Sequence, residues 1–299
     1  MEANKEKRTV AMASILAALL LTGFKFVVGF LTGSLGLLSE ALHSCLDLLA
    51  ALITFFSVRI SDKPADAEHH FGHGKVENLS ALIQTALLLL TCGWIVYEAI
   101  HRLLTKSAEI EVNIWSYAVV ITSIVVDISR SRALSRVAKK HNSQALEADA
   151  LHFSTDIWSS CVVLLGLICA QYGFYYADPV AALVVAVIVL YICCQIGKKA
   201  IDVLLDKAPA QDYERVTGIL SEHPEIKKFH NLKVRAAGAD TFISFNIHLD
   251  PFMSFTDIHA FCDHLEKDIQ QKIARCEVYI HAEPQNSEHA NSGDDAATG

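Results

Sequence analysis

The sequence predicts an α-helical membrane protein: six transmembrane helices followed by a small α+β domain in the order α-β-β-α-β. Three observations carry this prediction. Apolar residues make up 52% of the 299-residue chain, and mean hydropathy is +0.33, both high for a soluble protein. Long apolar runs recur from Val10 to Ile196, most of them near the length that crosses a bilayer as a helix. Beyond about Asp206 the runs stop, and short alternating or helix-periodic patterns replace them. Residues 1–207 therefore read as a membrane domain, 208–284 as a soluble domain and 285–299 as a polar, disordered tail.

The first span runs from Val10 to Leu31, behind a polar start carrying Lys5, Lys7 and Arg8. It is too long for the apolar core of a signal peptide and has no small-residue cleavage site, so it reads as a retained helix. Lys25 inside it reads as a snorkelling or interior-facing cation. A turn at Thr32–Gly36 leads to the second span, Leu37 to Ile60, which contains His43 and Asp47. A polar loop, Ser61 to Lys75, holds Asp66, His69, His70 and His73. The third span covers Val76 to Ile100. The fourth, Ile114 to Val126, is short and continues as a helix into the basic segment Arg130–Lys140. The fifth, Ala145 to Cys169, carries His152 and Asp156, and the sixth covers Pro179 to Ile196.

An even number of spans places both termini on one side. Lysines and arginines crowd the N-terminal segment, the Ser61–Lys75 loop, Arg130–Lys140 and Lys198–Lys199, whereas the opposite loops hold only Arg102 and Lys106. The positive-inside bias therefore makes the termini and the histidine-rich loop cytoplasmic. A formal charge of −8, with no basic run interleaved with aromatics, argues against a nucleic-acid partner. The eight cysteines form no C-x-x-C pair and no disulfide framework, consistent with a reducing compartment for the soluble part.

Pro209 marks the start of the soluble domain. Tyr213, Val216, Ile219 and Leu220 fall at helical spacing over 212–222, and Leu232 and Val234 mark a strand. Phe242 to Asp250 alternates, with Phe245, Ile247 and Leu249 against Ser244, Asn246 and His248. Residues 255–273 read as an amphipathic helix. Glu277 to Glu283 alternates again and sets His281 and Glu283 on the polar face.

Chemistry concentrates in two matched stretches, His43-Ser-Cys-Leu-Asp47 and His152-Phe-Ser-Thr-Asp156. On a helix, a four-residue spacing puts both side chains on one face, about 6 Å apart along the axis. Two such helices side by side offer two imidazoles and two carboxylates to one point, a four-ligand set for a divalent metal and for zinc above all. An aspartate in mid-membrane costs about 2.5–3.5 kcal/mol, so Asp47 and Asp156 together cost about 5–7 kcal/mol before compensation. Structural hydrogen bonds between helices are the competing explanation, but a matched pair on two helices is harder to explain that way.

The two H-x-x-x-D motifs, the loop Asp66-Ala-Glu-His69-His-Phe-Gly-His73-Gly-Lys75-Val-Glu and the ending Tyr279-Ile-His281-Ala-Glu283-Pro together resemble the cation diffusion facilitators. These are dimeric divalent-metal/proton antiporters, and the resemblance covers nearly all of the chain except the tail. It implies a zinc exporter working by alternating access, with no enzymatic activity and no organic cofactor. It implies a homodimer in the plasma (inner) membrane, in contact with lipid. The soluble domain would be a ferredoxin-like, metallochaperone-like fold. His43, Asp47, His152 and Asp156 match the family's transport site. Asp66, His69 and His73 match its loop site, for which a solvated polar loop is the alternative. His230, His248, His259, His281 and Glu283 match a metal site at the cytoplasmic dimer interface, with ordinary surface histidines as the alternative. The family often has aspartate where Glu283 stands. Lys75 would pair with Asp206 at the domain junction.

Histidine at position 43, where some members carry aspartate, resembles the zinc-preferring pattern. Fe2+, Co2+, Cd2+ and Mn2+ remain alternative cargoes. Since an imidazole must lose its proton to bind metal, the same atoms could serve both ions of an exchange. A reading from another class is a membrane di-iron carboxylate oxidase, because Glu40-x-x-His43 and Asp149-x-x-His152 resemble paired Glu-x-x-His motifs. The other spans offer only Glu98, near a helix end, to complete that set. No H-E-x-x-H metalloprotease motif occurs.

Overall fold

The computed structural model describes residues 2–32, 35–105, 114–171 and 177–285. The expected disordered tail and Lys106 lie outside them, as does the Glu40 side chain. The chain divides into two compact units, Met1–Leu204 and Leu205–Gly299, three residues earlier than the sequence boundary at 207.

The first unit is a bundle of α1 (Glu2–Thr32), α2 (Leu35–Ser61), α3 (Val76–Thr105), α4 (Ile114–His141), α5 (Gln144–Gln171) and α6 (Ala177–Leu204). α1 packs chiefly on α2, α4 on α5 and α3 on α6, while α2 also meets α5. Four of the helices, α1, α2, α3 and α6, are long and apolar enough to cross a membrane by composition alone among the described residues. α4 and α5 are as long, and α4 is the most polar of the six. Their polar groups point inward: Asp127, Arg130, Asp149 and His152 are all buried. The side chains that cost most in lipid are thus among those the bundle encloses.

α2 shows why neighbours can approach it. Ala41, Ser44, Asp47, Ala51, Thr54 and Val58 form one buried stripe of mostly small residues at helical spacing. Leu42, Leu46, Leu49 and Phe56 stand exposed on the other side, as lipid-facing residues should. α1 begins at Glu2 rather than at Val10, because the polar start is itself helical and partly interior: Lys7 is buried.

The second unit holds α7 (Ala210–Glu222), β1 (Lys228–Ala237), β2 (Asp240–Leu249), α8 (Phe255–Lys272) and β3 (Cys276–Pro284). The sheet order is β1-β2-β3, antiparallel between β1 and β2 and parallel between β2 and β3. A parallel pair needs a crossover, and α8 supplies it. Ser254 caps α8 by accepting from the Asp257 N–H at 3.2 Å. Alternate residues of β2, namely Ile243, Phe245, Ile247 and Leu249, pack against Val216, Ile219 and Leu220 of α7 and Leu265 and Ile269 of α8. Burying each such side chain contributes about 1.5–3 kcal/mol. The other face of β2 presents Ser244, Asn246 and His248.

Candidate metal centre

The packing of α2 on α5 brings the two H-x-x-x-D motifs together. His152 Nε2 lies 3.2 Å from Asp47 Oδ1 and 3.7 Å from Asp156 Oδ2. His43 Nε2 lies 3.9 Å from Asp47 Oδ1 and 4.0 Å from Asp156 Oδ1. All four predicted side chains thus face one another across the helix pair, and His43, Asp47 and Asp156 each place a ligand atom within 4.8 Å of the others. Two atoms bound to one tetrahedral zinc at about 2.0–2.2 Å sit about 3.3–3.6 Å apart. The acid–imidazole spacings are close to those around a single ion, while His152 meets both carboxylates without falling within 4.8 Å of all three other ligand atoms.

The site is deep but not sealed. His152 is almost fully enclosed, while the His43 side chain is 39% exposed. A cavity of about 20 Å³, lined by His43, Asp156, Thr91, Cys92, Thr155 and Ser159, adjoins it. That volume accommodates one water-sized particle. Besides His43, its residues come from the middle turns of α3, α5 and α6, level with the site.

The loop end is closed by charge instead. Lys7 Nζ lies 2.9 Å from Asp62 Oδ1 and 3.0 Å from Glu77 Oε1, all three side chains being at most 4% exposed. Ser61 Oγ and Ser143 Oγ donate to the two oxygens of Glu77 at 3.0 and 2.5 Å. This knot ties α1, α2, α3 and the α4–α5 connection. A second interior pair, Asp127 with Arg130 at 3.4 Å, lies on α4; the guanidinium also donates to Ser14 Oγ and stacks 3.5 Å from the Phe153 ring centroid. Lys25 faces inward and donates to Ser44 Oγ at 2.9 Å. Counting Lys7 and Arg130 among the cytoplasmic-side cations does not reveal these interior partners. Helical spacing of each to acids on packed neighbours was the available hint, but it requires knowing which helices touch.

The loop residues also converge. Asp66 Oδ1 lies 3.3 Å from His69 Nδ1, Asp66 Oδ2 lies 3.5 Å from His73 Nε2, and the two rings are 4.4 Å apart. Gly72, at φ +73°, makes the turn that returns His73 to Asp66. His70 is not among them; its Nε2 lies 3.1 Å from Ala67 O. The backbone N–H groups of His69 and Glu68 donate to Asp66, holding its carboxyl below the ordinary carboxylate value. With a lowered pKa the group stays anionic from neutral pH down past about 3.9. A carboxylate charged across this range keeps its oxygens available to a cation at pH 5 as at pH 7. Asp66→Asn is expected to weaken loop zinc binding by about 10–100-fold, a range seen when even a ligand's hydrogen-bond partner is lost. Zinc titration at pH 7 checks this; an unchanged affinity would remove Asp66 from the ligand set.

In the C-terminal unit, His230 Nδ1 and His248 Nε2 are 3.2 Å apart, with Glu283 Oε2 3.6 Å from His248 and 4.0 Å from His230. Register explains this: His248 pairs with Glu283 across β2 and β3, and an irregularity in β1 follows His230. Two imidazoles and a carboxylate suit an intermediate divalent ion such as zinc. His281 stands beside them through Glu283, at 3.5 Å. The structure does not bring His259 into the cluster within one chain; it sits with Asp263 at 3.7 Å on α8.

Membrane-length helices around an interior cluster of imidazoles and carboxylates, with further such clusters in a loop and a soluble domain, outline a membrane protein equipped to hold metal cations. Comparison with known proteins narrows the class. The family described as "Cation efflux transmembrane domain" matches residues 11–205, and "Cation efflux protein, cytoplasmic domain" matches 208–285. The chain is 31% identical over 278 residues to a cation-efflux pump FieF of Shewanella oneidensis, covering 93% of this chain and 94% of the relative. It is 34% identical over 281 residues to the transporter sll1263 of Synechocystis, covering 93% and 90%. A solved metal-bound C-terminal domain of a CzcD transporter from Thermotoga maritima is 29% identical, covering 26% of this chain and 93% of its own, with a TM-score of 0.25. The chain belongs to the cation diffusion facilitator family. It is an integral membrane transporter for efflux of divalent metal cations, not an enzyme, and the di-iron oxidase reading is set aside.

Proposed function

We propose that the chain exports zinc from the cytoplasm in exchange for protons, binding both at His43, Asp47, His152 and Asp156. The observation that carries this is the convergence of these four side chains at 3.2–4.0 Å between α2 and α5. Two neutral nitrogens with two carboxylates favour zinc over harder ions such as magnesium, calcium or manganese. An imidazole releases its proton when metal binds and takes one up when metal leaves. Metal and proton therefore exclude each other at shared atoms, which couples the two flows. The charge knot at the loop end fits one of two alternating conformers, sealed on the side of that loop. In this reading both termini and the C-terminal unit lie in the cytoplasm, and the chain works as a homodimer in the plasma (inner) membrane. The loop and C-terminal clusters bind metal too: Asp66, His69 and His73 in one, His230, His248, His281 and Glu283 in the other, with His259 contributed across the dimer. There zinc acts as a regulatory ion that tightens the dimer.

Reconstitution into liposomes tests the proposal. A proton gradient from an acidic lumen is expected to accelerate zinc uptake into the lumen. Zinc movement indifferent to that gradient would remove the antiport. Parallel runs with Fe2+, Co2+, Cd2+ and Mn2+ decide the cargo, and faster flux of any of these would displace zinc.

A further inference from the structure

The C-terminal unit carries another group of metal-ligating side chains, on its helical layer rather than on the open face that presents His248. His223 closes the C-terminus of α7, while His264 and Asp268 stand one turn apart on α8. Both imidazoles approach the same carboxylate oxygen: Asp268 Oδ2 lies 3.4 Å from His223 Nε2 and 3.6 Å from His264 Nε2. Two ligands of one tetrahedral zinc are about 3.3–3.6 Å apart, so each histidine already stands at ligand spacing from the aspartate. The two rings are nearly perpendicular, at 87°, with centroids 6.3 Å apart. His223 is held in place, its side chain 17% exposed and its ring edge-on to Phe261. The three ligand atoms do not all stand within 4.8 Å of one another, so His264, 68% exposed, has to turn its nitrogen toward His223 to close the set. Beside the cluster, Lys272 and Glu222 pair at 2.9 Å and already bind the ends of the same two helices.

We propose that His223, His264 and Asp268 form a distinct metal site, taking a divalent transition ion that favours imidazole, with water completing its coordination. A set of two nitrogens and one carboxylate selects zinc, cobalt or nickel over magnesium and calcium. The ion staples the end of α7 to the middle of α8. Since α7 is the first helix after the bundle in the chain, metal at this site stiffens the segment where the soluble unit begins. The site shares no residue with the transport, loop or open-face clusters.

The test uses full-length protein, stripped of metal, dialysed against zinc and counted by elemental analysis. Wild type is expected to hold about one zinc more per chain than His264→Gln or Asp268→Asn, both partly exposed positions that leave the core intact. His264→Cys, which restores a ligand, is expected to recover the count. Zinc should also slow hydrogen exchange in the last turn of α7 in wild type but not in His264→Gln. Equal zinc counts in wild type, His264→Gln and Asp268→Asn would overturn the site. Asp47→Ala is expected to keep this ion, so loss of transport and loss of the staple are separable results.

Discussion

Asp47→Ala is expected to abolish metal transport, lowering zinc flux by more than about 100-fold, since loss of even an outer-shell partner costs about 10–100-fold in metal affinity. The effect should exceed that of any other single truncation in the ring. Asp47 meets both histidines, at 3.2 Å from His152 and 3.9 Å from His43, more closely than Asp156 does at 3.7 and 4.0 Å, so it organises the set as well as contributing an oxygen. Its removal also leaves the enclosed His152 without its nearest anion. Asp47→Asn keeps the shape and removes the charge, and it should fail almost as fully, because a neutral amide is a poor ligand for a dication. Flux into proteoliposomes, with size-exclusion elution to confirm folding, measures both. Flux within twofold of wild type in Asp47→Ala would remove this ring from the transport path.

Lys7→Met is expected to destabilise the protein by about 3–5 kcal/mol, the cost of stranding a buried charge by deleting its partner. Lys7 lies between two carboxylates, Asp62 at 2.9 Å and Glu77 at 3.0 Å, and all three are enclosed. Methionine keeps the volume but leaves Glu77 with only the hydroxyls of Ser61 and Ser143, and Asp62 with Arg8 alone at 3.4 Å. The triple change Lys7→Met, Asp62→Leu, Glu77→Met should recover most of the loss, as replacing a whole buried ion group with apolar residues often does. Thermal unfolding in detergent reads both effects. Because the knot closes the loop end, Lys7→Met should also make Ser143→Cys label faster from that side. A melting temperature unchanged by Lys7→Met would show that the knot contributes nothing.

How much of this was legible beforehand differs from element to element. The helices from α1 to α6 announce themselves through apolar runs, and their polar members through what interrupts those runs. The strands of the C-terminal unit were readable from alternation, with bounds within a few residues of β2 and β3. His223, His264 and Asp268 passed unnoticed because 41 residues separate His223 from His264 in the chain, and neither lies in a recurrent motif.

Sequence by itself determined the local geometry: a four-residue spacing commits His43 with Asp47, and His152 with Asp156, to one helix face each, because helix periodicity is a property of the backbone. Tertiary structure alone decided that these faces meet, that Lys7 and Arg130 turn inward, and that α7 brings its last residue to α8. Such choices depend on which small residues let two helices approach and which charges find partners there. They are long-range energies that no single segment carries.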